Sequence, residues 1–349
     1  MDKAIYDWEN RNCAGNEVAQ KPVIFNPNVA VVSRSVTSEE YEPKNRMHLQ
    51  CEHKTVYHYP GPAVESHNEI RLMPLTDEHQ TCVAFRLLVA PIARVFSYAE
   101  PGGMVHHFAI RGAHAIMEIV ATATVETRLS NPFESLNLIM DDFDFYQQTT
   151  TRHAYAEFLI PSLYVPFHRE AAEWAYSLKK PGESVANYLL ELNRQIHDRM
   201  DYDQDATHVH STLEEIWNLK AGVCQDFAHL MLACTRALGI PSRYVSGYLF
   251  GGEDTGIRGD QATHAWVECV LPSGKWLALD PTNNLLANDR HIRVHLGRDY
   301  ADVTPSKGIY IGWAAKNLEV DVTVREIEQL AIATDRPLQR ASMRRVDQA

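Results

Sequence analysis

The spacing of apolar residues changes twice along this chain of 349 residues. From residue 49 to about 127, apolar and polar residues alternate in short runs rich in β-branched and aromatic types, separated by breakers such as Tyr59-Pro60-Gly61-Pro62. From 167 to 238 apolar residues recur three and four apart, and from 243 to 279 the alternation returns. Because strands have a period of two and helices one of about 3.6, this order predicts an α+β chain.

The two patterns predict two domains. We expect residues 47–150 to form an all-β, sandwich-like domain, and residues 151–325 to form a domain with a helical part followed by an antiparallel sheet. Residues 1–46 show no sustained period and are predicted to be a poorly ordered extension, while residues 326–349 are assigned to a tail. A chain of this length is sufficient for two hydrophobic cores.

Composition excludes several classes of partner. The formal net charge of -12 argues against binding to nucleic acid or to an anionic membrane, since both favour basic surfaces. No apolar stretch is long enough for a membrane helix, and residues 1–10 lack the apolar segment of a signal peptide. The six cysteines form no CxxC pair and are predicted to be reduced thiols. Together these features predict a cytoplasmic protein.

The 17 histidines of the chain are potential metal ligands. The pairs His208-Val209-His210 and His106-His107 each offer two ligands, but neither has a nearby Cys or carboxylate pattern to complete a zinc set. The run Asp201 to Asp205 begins like a calcium loop, yet Ala206 and Thr212 stand where that loop needs Gly and Glu. The sequence therefore predicts no metal and no other cofactor.

Two helices are predicted on either side of residue 222. Ser211-Thr212-Leu213-Glu214 fits a capping box, with Ser211 as the N-cap of a short helix that ends near Leu219. A longer helix follows Cys224 and stops at Gly239-Ile240-Pro241. Its apolar face is formed by residues at helical spacing: Phe227, Leu230, Met231, Cys234 and Leu238.

Cys224 therefore stands at the N-terminus of a buried helix. A free thiol is mostly protonated at neutral pH and is then a weak nucleophile. The exposed amides and the dipole of a helix N-terminus favour a thiolate, and so does a nearby imidazolium. Gly222 is expected to leave room for backbone or substrate. Cys234 and Cys269, by contrast, are interpreted as small core hydrophobes.

His264 and Asp280 are expected to meet on neighbouring strands. If Pro272-Ser273-Gly274 is a hairpin loop, His264 lies opposite Thr282, and Asp280 is its diagonal neighbour on the same face. Asp280 can then accept from one imidazole nitrogen while the other nitrogen addresses a thiol. A strand His or an Asp before Pro is ordinarily structural, but the combination with a helix-start Cys predicts an acyl-transfer site.

Three blocks of residues follow one another in an order typical of one family. The cysteine block of that family is similar to Gly222 to His229 (GVCQDFAH) together with Arg236 to Tyr248. Its histidine block is similar to His264 to Glu268 (HAWVE), and its aspartate block is similar to Leu279 to Asn283 (LDPTN). With these blocks the chain resembles the bacterial transglutaminase-like superfamily.

Further segments carry the same resemblance. The β-rich region that often precedes this catalytic domain is similar to His53 to Tyr59, Ser66 to Leu72 and His106 to Phe108. The end of the family pattern is similar to His291 to Val294 and Gly297 to Val303. The resemblance thus extends to both sides of the three blocks.

The resemblance covers about residues 47–325 and implies a papain-like catalytic domain. It implies Cys224 as the nucleophile, His264 as general base and acid, and Asp280 as the residue that orients the imidazole. The implied activity is acyl transfer from peptide or protein amides through a thioester, with hydrolysis of the cysteine-protease kind favoured. The alternatives are transfer to an amine, which cross-links proteins, and a non-catalytic peptide-binding module.

One difference from eukaryotic transglutaminases concerns the oxyanion. Those enzymes use a tryptophan well upstream of the cysteine, and no Trp lies at a comparable distance before Cys224. The Cys224 amide is an expected donor, and the second donor is left open among Gln225, Trp217 and Trp266. The glycines of Gly251 to Gln261 predict a mobile loop beside the site.

Overall fold

The computed structural model describes residues 46–128, 143–252, 257–259, 263–312 and 317–328. The predicted extension and tail lie outside these ranges except for Arg46 and residues 326–328. In chain order, the strands and α-helices of the described residues are β1 (Arg46–Ile70), β2 (Gln80–Ala90), β3 (Val95–Glu100), β4 (Gly103–Arg128), α1 (Thr149–Ala154), α2 (Arg169–Leu178), α3 (Val185–Arg199), β5 (Asp201–Tyr202), α4 (Leu213–Leu219), β6 (Ala221–Gly222), α5 (Cys224–Ala237), β7 (Ser242–Leu249), β8 (Thr263–Val270), β9 (Trp276–Asp280), β10 (Leu285–Leu286), β11 (His291–Gly297), α6 (Tyr300–Val303), β12 (Ser306–Ile311) and β13 (Asn317–Glu326).

The N-terminal sheet is built on two long antiparallel strands, β1 of 25 residues and β4 of 26. β2 and β13 flank one half of this pair, β3 and β12 flank the other, and register shifts between His58 and Glu65 separate the halves. The rings of Phe85 in β2 and His106 in β4 lie 5.0 Å apart, so the two halves pack face to face. The predicted all-β, sandwich-like domain is confirmed as one sheet folded over its own core.

β12 and β13 correct the predicted domain boundary. The sequence pattern assigned residues 151–325 to the second domain, yet these two strands pair with β1, from Ile70↔Ser306 to Leu49↔Glu326. The alternation within a strand predicts which residues face the core, but it carries no information about which sheet the strand joins. The first sheet therefore contains strands from both ends of the described chain.

The second domain packs helices against a five-stranded antiparallel sheet of order β10-β9-β8-β7-β11. α2 and α3 begin at His168 and Ser184, whose side chains accept from main-chain N–H groups three residues on. α5 is buried from Gln225 to Arg236 and packs on α2, α3, α4, β7 and β8. The predicted α+β order, helices first and sheet second, is confirmed.

The capping box before α4 lies one residue later than predicted. Thr212, not Ser211, is the N-cap: its Oγ1 accepts from the Glu215 N–H at 3.3 Å, and Glu215 Oε2 accepts from the Thr212 N–H at 2.7 Å. Both registers match the Ser/Thr-x-x-Glu pattern. In the observed register, Leu213 and Trp217 are buried. The Ser211 hydroxyl accepts from the His208 N–H and takes no part in the cap.

β11 connects the two domains. Ile292 and Val294 belong to the core of the N-terminal domain, together with Tyr248 of β7. The Gln80 side chain accepts from the Arg293 N–H and donates to the Arg293 carbonyl oxygen, each at 2.8 Å. The first domain therefore holds a strand that forms the edge of the second domain's sheet. Within the described residues, no helix is both long and apolar enough to cross a membrane.

Candidate active site

Cys224 is the first residue of α5, as predicted, and a carboxylate fixes the turn before it. Asp226 Oδ2 accepts from the Val223 N–H at 2.8 Å and from the Thr207 hydroxyl at 2.6 Å. A Cβ on Gly222 would lie 2.2 Å from the same oxygen. Gly222 thus makes room for the Asp226 carboxylate, where the sequence had suggested room for backbone or substrate. This local packing sets the entry of the chain into α5.

His264 and Asp280 meet through the predicted strand pairing. β8 and β9 are antiparallel, and the pair Val267↔Leu279 continues the register expected from a loop at 272–274. His264 Nε2 lies 2.8 Å from Asp280 Oδ2, and both side chains are fully buried. The predicted diagonal contact between the two strands is therefore present.

The Cys224 thiol lies beside the start of the strand that carries His264. Cys224 Sγ donates to the carbonyl oxygen of Thr263, the neighbour of His264, at 3.8 Å. His264 Nδ1 is buried and makes no hydrogen bond within the described part of the chain. Because Nε2 is bound to Asp280, Nδ1 is the ring nitrogen that the carboxylate leaves free. Cys224, from a helix, and His264 and Asp280, from two strands, thus form one continuous group.

Asp280 receives five hydrogen bonds. Its Oδ1 accepts from the Thr282 and Asn283 main-chain N–H groups at 3.0 and 3.2 Å. Its Oδ2 accepts from His264, from Asn283 Nδ2 at 2.9 Å and from His291 Nε2 at 3.4 Å. Burial alone would raise the pKa of this carboxyl group, but His264 and His291 outweigh burial and hold the pKa well below its usual range. These contacts favour the ionised form of Asp280 and fix its orientation.

The charge of Asp280 acts on the imidazole. Burial alone would lower the pKa of His264, but the Asp280 carboxylate and the Cys224 thiol outweigh burial and raise it to about 10. An imidazole in this setting holds a proton readily at neutral pH. That property suits a thiolate–imidazolium pair.

Residues 257–259 cover His264 Nδ1. The Asn283 side chain accepts from the Arg258 N–H at 2.8 Å and donates to the Arg258 carbonyl oxygen at 3.1 Å. A Cβ on Gly259 would lie 2.7 Å from His264 Nδ1. Asn283 thus ties this segment to the same carboxylate that orients His264. Of the loop predicted to be mobile, Gly251 to Gln261, residues 253–256 and 260–261 lie outside the described residues.

Comparison with known proteins follows the same division of the chain. Residues 172–281 match the family model of the transglutaminase-like superfamily, and residues 49–126 match that of the bacterial transglutaminase-like N-terminal region. An uncharacterised protein of Mycobacterium leprae is 34% identical over 282 residues, which cover 80% of this chain and 99% of the relative. The chain belongs to the transglutaminase-like superfamily.

Two further comparisons bear on the fold and on the chemistry of the superfamily. The crystal structure of a candidate cysteine protease from Cytophaga hutchinsonii has a TM-score of 0.64 and 22% identity, covering 82% of this chain and 92% of that one. This likeness confirms the predicted fold class. A protein-glutamine gamma-glutamyltransferase of Pseudomonas aeruginosa is 30% identical over 136 residues, which cover 37% of this chain and 16% of the relative.

The three oxyanion donors suggested by the sequence differ in how their N–H groups are used in this superfamily member. Trp217 Nε1 donates to Glu170 at 2.7 Å. Trp266 is wholly buried and stacks on His264 with 6.1 Å between ring centroids. Gln225, next to Cys224, uses one side-chain N–H on the Val209 carbonyl oxygen at 3.1 Å. Trp266 Nε1 is buried and makes no hydrogen bond within the described residues, so the Glu170 contact argues against Trp217 alone.

His210 and His106, one from each histidine pair, contact aromatic side chains. His210 Nδ1 lies 3.0 Å from the Tyr164 hydroxyl, and His106 packs on Phe85. Among the described residues, one group of three side chains brings potential ligand atoms within 4.8 Å of one another, namely His264, Asp280 and His291. These atoms are already hydrogen-bonded to one another. Sequence inspection missed His291 and Asn283, although both lie in segments that carry the family resemblance.

Proposed function

We propose that the protein is a cysteine-dependent enzyme that cleaves peptide or protein amides through a thioester on Cys224, with water as the final acceptor. The observation that carries this proposal is the buried 2.8 Å contact between His264 Nε2 and Asp280, which leaves Nδ1 for the thiol at the start of α5. Nucleophile, base and orienting carboxylate are the parts that covalent acyl transfer requires.

Acylation begins from the thiolate–imidazolium pair. Cys224 Sγ attacks the amide carbonyl carbon, and the carbonyl oxygen becomes an oxyanion near the N-terminus of α5, where main-chain N–H groups favour negative charge. His264 then donates its Nδ1 proton to the leaving nitrogen. The C–N bond breaks, the amine departs, and the acyl group stays on sulfur as a thioester. Asp280 balances the charge of the imidazolium throughout.

Deacylation reverses the proton transfer. His264, now neutral, takes a proton from water as the water oxygen attacks the thioester carbonyl carbon. The C–S bond breaks, the carboxylic acid leaves, and the thiolate–imidazolium pair forms again. An amine in the place of water would give transamidation by the same steps. The kinship to a protein-glutamine gamma-glutamyltransferase favours this as the second candidate function.

The test compares Cys224→Ala with the wild-type protein in three assays: peptide cleavage, ammonia release and incorporation of a primary amine. Cys82→Ala is the matched control, because Cys82 is a half-buried free thiol in the N-terminal domain. We expect Cys224→Ala to lose activity by about a thousandfold or more and Cys82→Ala to keep it. Cleavage without amine incorporation supports hydrolysis, and the reverse supports transamidation. Equal activity of Cys224→Ala and wild type in every assay would refute the proposal.

A further inference from the structure

A second histidine shares the carboxylate of the proposed triad. His291, the first residue of β11, has a side chain that is 1% exposed, and its Nε2 lies 3.4 Å from Asp280 Oδ2. The same oxygen accepts from His264 Nε2 at 2.8 Å. Two imidazoles on different strands therefore compete for one carboxylate oxygen. The mechanism described above does not use His291.

The hydrogen bonds of His291 define its tautomer. The Asp280 carboxylate can only accept, so the proton that faces it sits on His291 Nε2. His291 Nδ1 lies 3.1 Å from the Asn288 main-chain N–H and 3.2 Å from Asn288 Oδ1. Burial lowers the pKa of His291 despite the nearby Asp280, which favours the neutral ring. Trp266 packs against the ring edge-on with 5.2 Å between centroids, which holds the ring in place.

The N-terminal domain sets the position of this histidine. Two residues along β11, the Arg293 N–H and carbonyl oxygen are both bound by the Gln80 side chain, and the Leu75 N–H also donates to that carbonyl oxygen at 2.9 Å. Between them, Ile292 is fully buried in the N-terminal core. His291 therefore begins a strand whose main chain the first domain holds.

We propose that His291 is a positioning residue: it donates a hydrogen bond to the Asp280 oxygen that also binds His264, and so weakens the interaction of Asp280 with His264. The N-terminal domain holds His291 in place through β11. The inference rests on the proposed function of the Cys224 site. A neutral N–H donor to Asp280 Oδ2 weakens the ion pair between the carboxylate and the His264 imidazolium. His264 can then release its proton to the leaving amine more easily. Without that donor, the imidazolium becomes a weaker acid.

The test measures the rate of Cys224 alkylation by iodoacetamide against pH, which reports ionisation of the thiol–imidazole pair without any substrate. His291→Phe keeps the ring and removes the donor, whereas His291→Gln keeps an N–H near the position of Nε2. The charged and titratable groups around the imidazoles, Cys224, Asp280 and Asp289, stay unchanged in both variants. Gln80→Leu removes the two hydrogen bonds between the Gln80 side chain and the Arg293 main chain in β11.

We expect the upper inflection of the His291→Phe profile to move to higher pH by about half a unit, as fits the loss of one weak hydrogen bond. His291→Gln should follow the wild-type profile, and Gln80→Leu should shift in the same direction as His291→Phe. An unshifted or downward-shifted His291→Phe profile overturns the role of His291. A His291→Gln shift as large as that of His291→Phe overturns the hydrogen-bond explanation, and an unshifted Gln80→Leu profile overturns the link to the N-terminal domain.

Two further readouts distinguish a failure of the inference from a folding defect and from a failure of the proposed function. In wild-type protein, ring-nitrogen NMR should show His291 as a neutral Nε2–H tautomer from pH 6 to pH 8, and an Nδ1–H tautomer contradicts the inference even if no variant folds. If the wild-type protein processes no amide but the alkylation shifts appear, the proposed function fails while the role of His291 stands. With an active enzyme, His291→Phe should lower kcat by about threefold and leave KM unchanged.

Discussion

The surroundings of each thiol decide which cysteine can react. Burial raises the pKa of Cys51, Cys82 and Cys234 to about 12, and it raises that of Cys269 as well. Cys224 differs from these in position, because it begins a helix and lies near His264, whose pKa the Asp280 carboxylate raises despite burial. Among the five described thiols, we therefore expect Cys224 to be the reactive one.

This difference predicts selective labelling at low pH. Iodoacetamide at pH 6 should modify Cys224 at least about a hundredfold faster than Cys51, Cys82, Cys234 or Cys269, as measured by peptide mass spectrometry over time. His264→Ala, which removes the partner of the thiolate, should abolish the advantage. Equal rates for Cys224 and Cys82 would instead favour a binding module without a nucleophile.

At the scale of single elements, the start of α5 depends on how closely its neighbours pack. Gly222 ends β6, Val223 is the N-cap, and the Asp226 carboxylate folds back onto the Val223 N–H at 2.8 Å. Any side chain at residue 222 would enter the space of that carboxylate. The orientation of Cys224 is thus a consequence of a missing Cβ two residues earlier.

We predict that Gly222→Ala displaces Asp226 and misplaces the thiol. The free energy of unfolding should fall by about 1–3 kcal/mol, and the alkylation rate of Cys224 at pH 6 should fall by about tenfold. Gly239→Ala is the matched control at the far end of α5: it has a positive φ of 78° but open space around its Cα. It should cost about 1 kcal/mol of stability and leave the alkylation rate unchanged. Equal effects of both substitutions on the alkylation rate would contradict the role of Gly222.

At the scale of the whole molecule, the two domains are joined through shared side chains and a shared strand. His53 in β1 lies 3.2 Å from the Tyr248 hydroxyl of β7, and Arg293 of β11 binds both Asp77 and the buried Glu268 of β8. Charged and polar groups buried in this way require their partners. We therefore expect the domains to unfold together.

Stability should fall in mild acid because burial disfavours the charged form of several histidines, most strongly His53, His106 and His229. Burial lowers the pKa of His53 and His106 to about 4 and that of His229 to about 3, against about 6.5 in an unfolded chain. Between these values the unfolded chain binds more protons, so the free energy of unfolding decreases as pH falls from 6.5 towards 4. The combined slope is up to about 4 kcal/mol per pH unit.

Urea unfolding at pH 7, 6 and 5 measures this slope. His106→Phe removes one titrating group from the N-terminal core and should reduce the slope by about 1.4 kcal/mol per pH unit. A free energy of unfolding that stays constant between pH 7 and pH 5 would show that these rings do not titrate on unfolding.

Local patterns were sufficient to predict much of the fold, the position of Cys224 at a helix start and the contact between His264 and Asp280. The helical spacing from Phe227 to Leu238 and the stop after it placed Cys224 at a helix start, and the loop at 272–274 set the register that pairs His264 with Asp280. These features depend on residues close together in sequence, where backbone period and turn geometry leave few alternatives.

Contacts between distant segments could be decided only by the tertiary structure. β12 and β13 join the first sheet across more than 200 residues, because an edge of β1 is open to them there. The placement of His291 and Asn283 on Asp280, and the room that Gly222 leaves for Asp226, are likewise consequences of packing in three dimensions. The sequence by itself determined the order of elements and the identity of the Cys224, His264 and Asp280 group, since these follow from local periodicity and a short hairpin. The tertiary structure decided which further side chains hold that group, since their contacts join strands and loops that no local pattern connects.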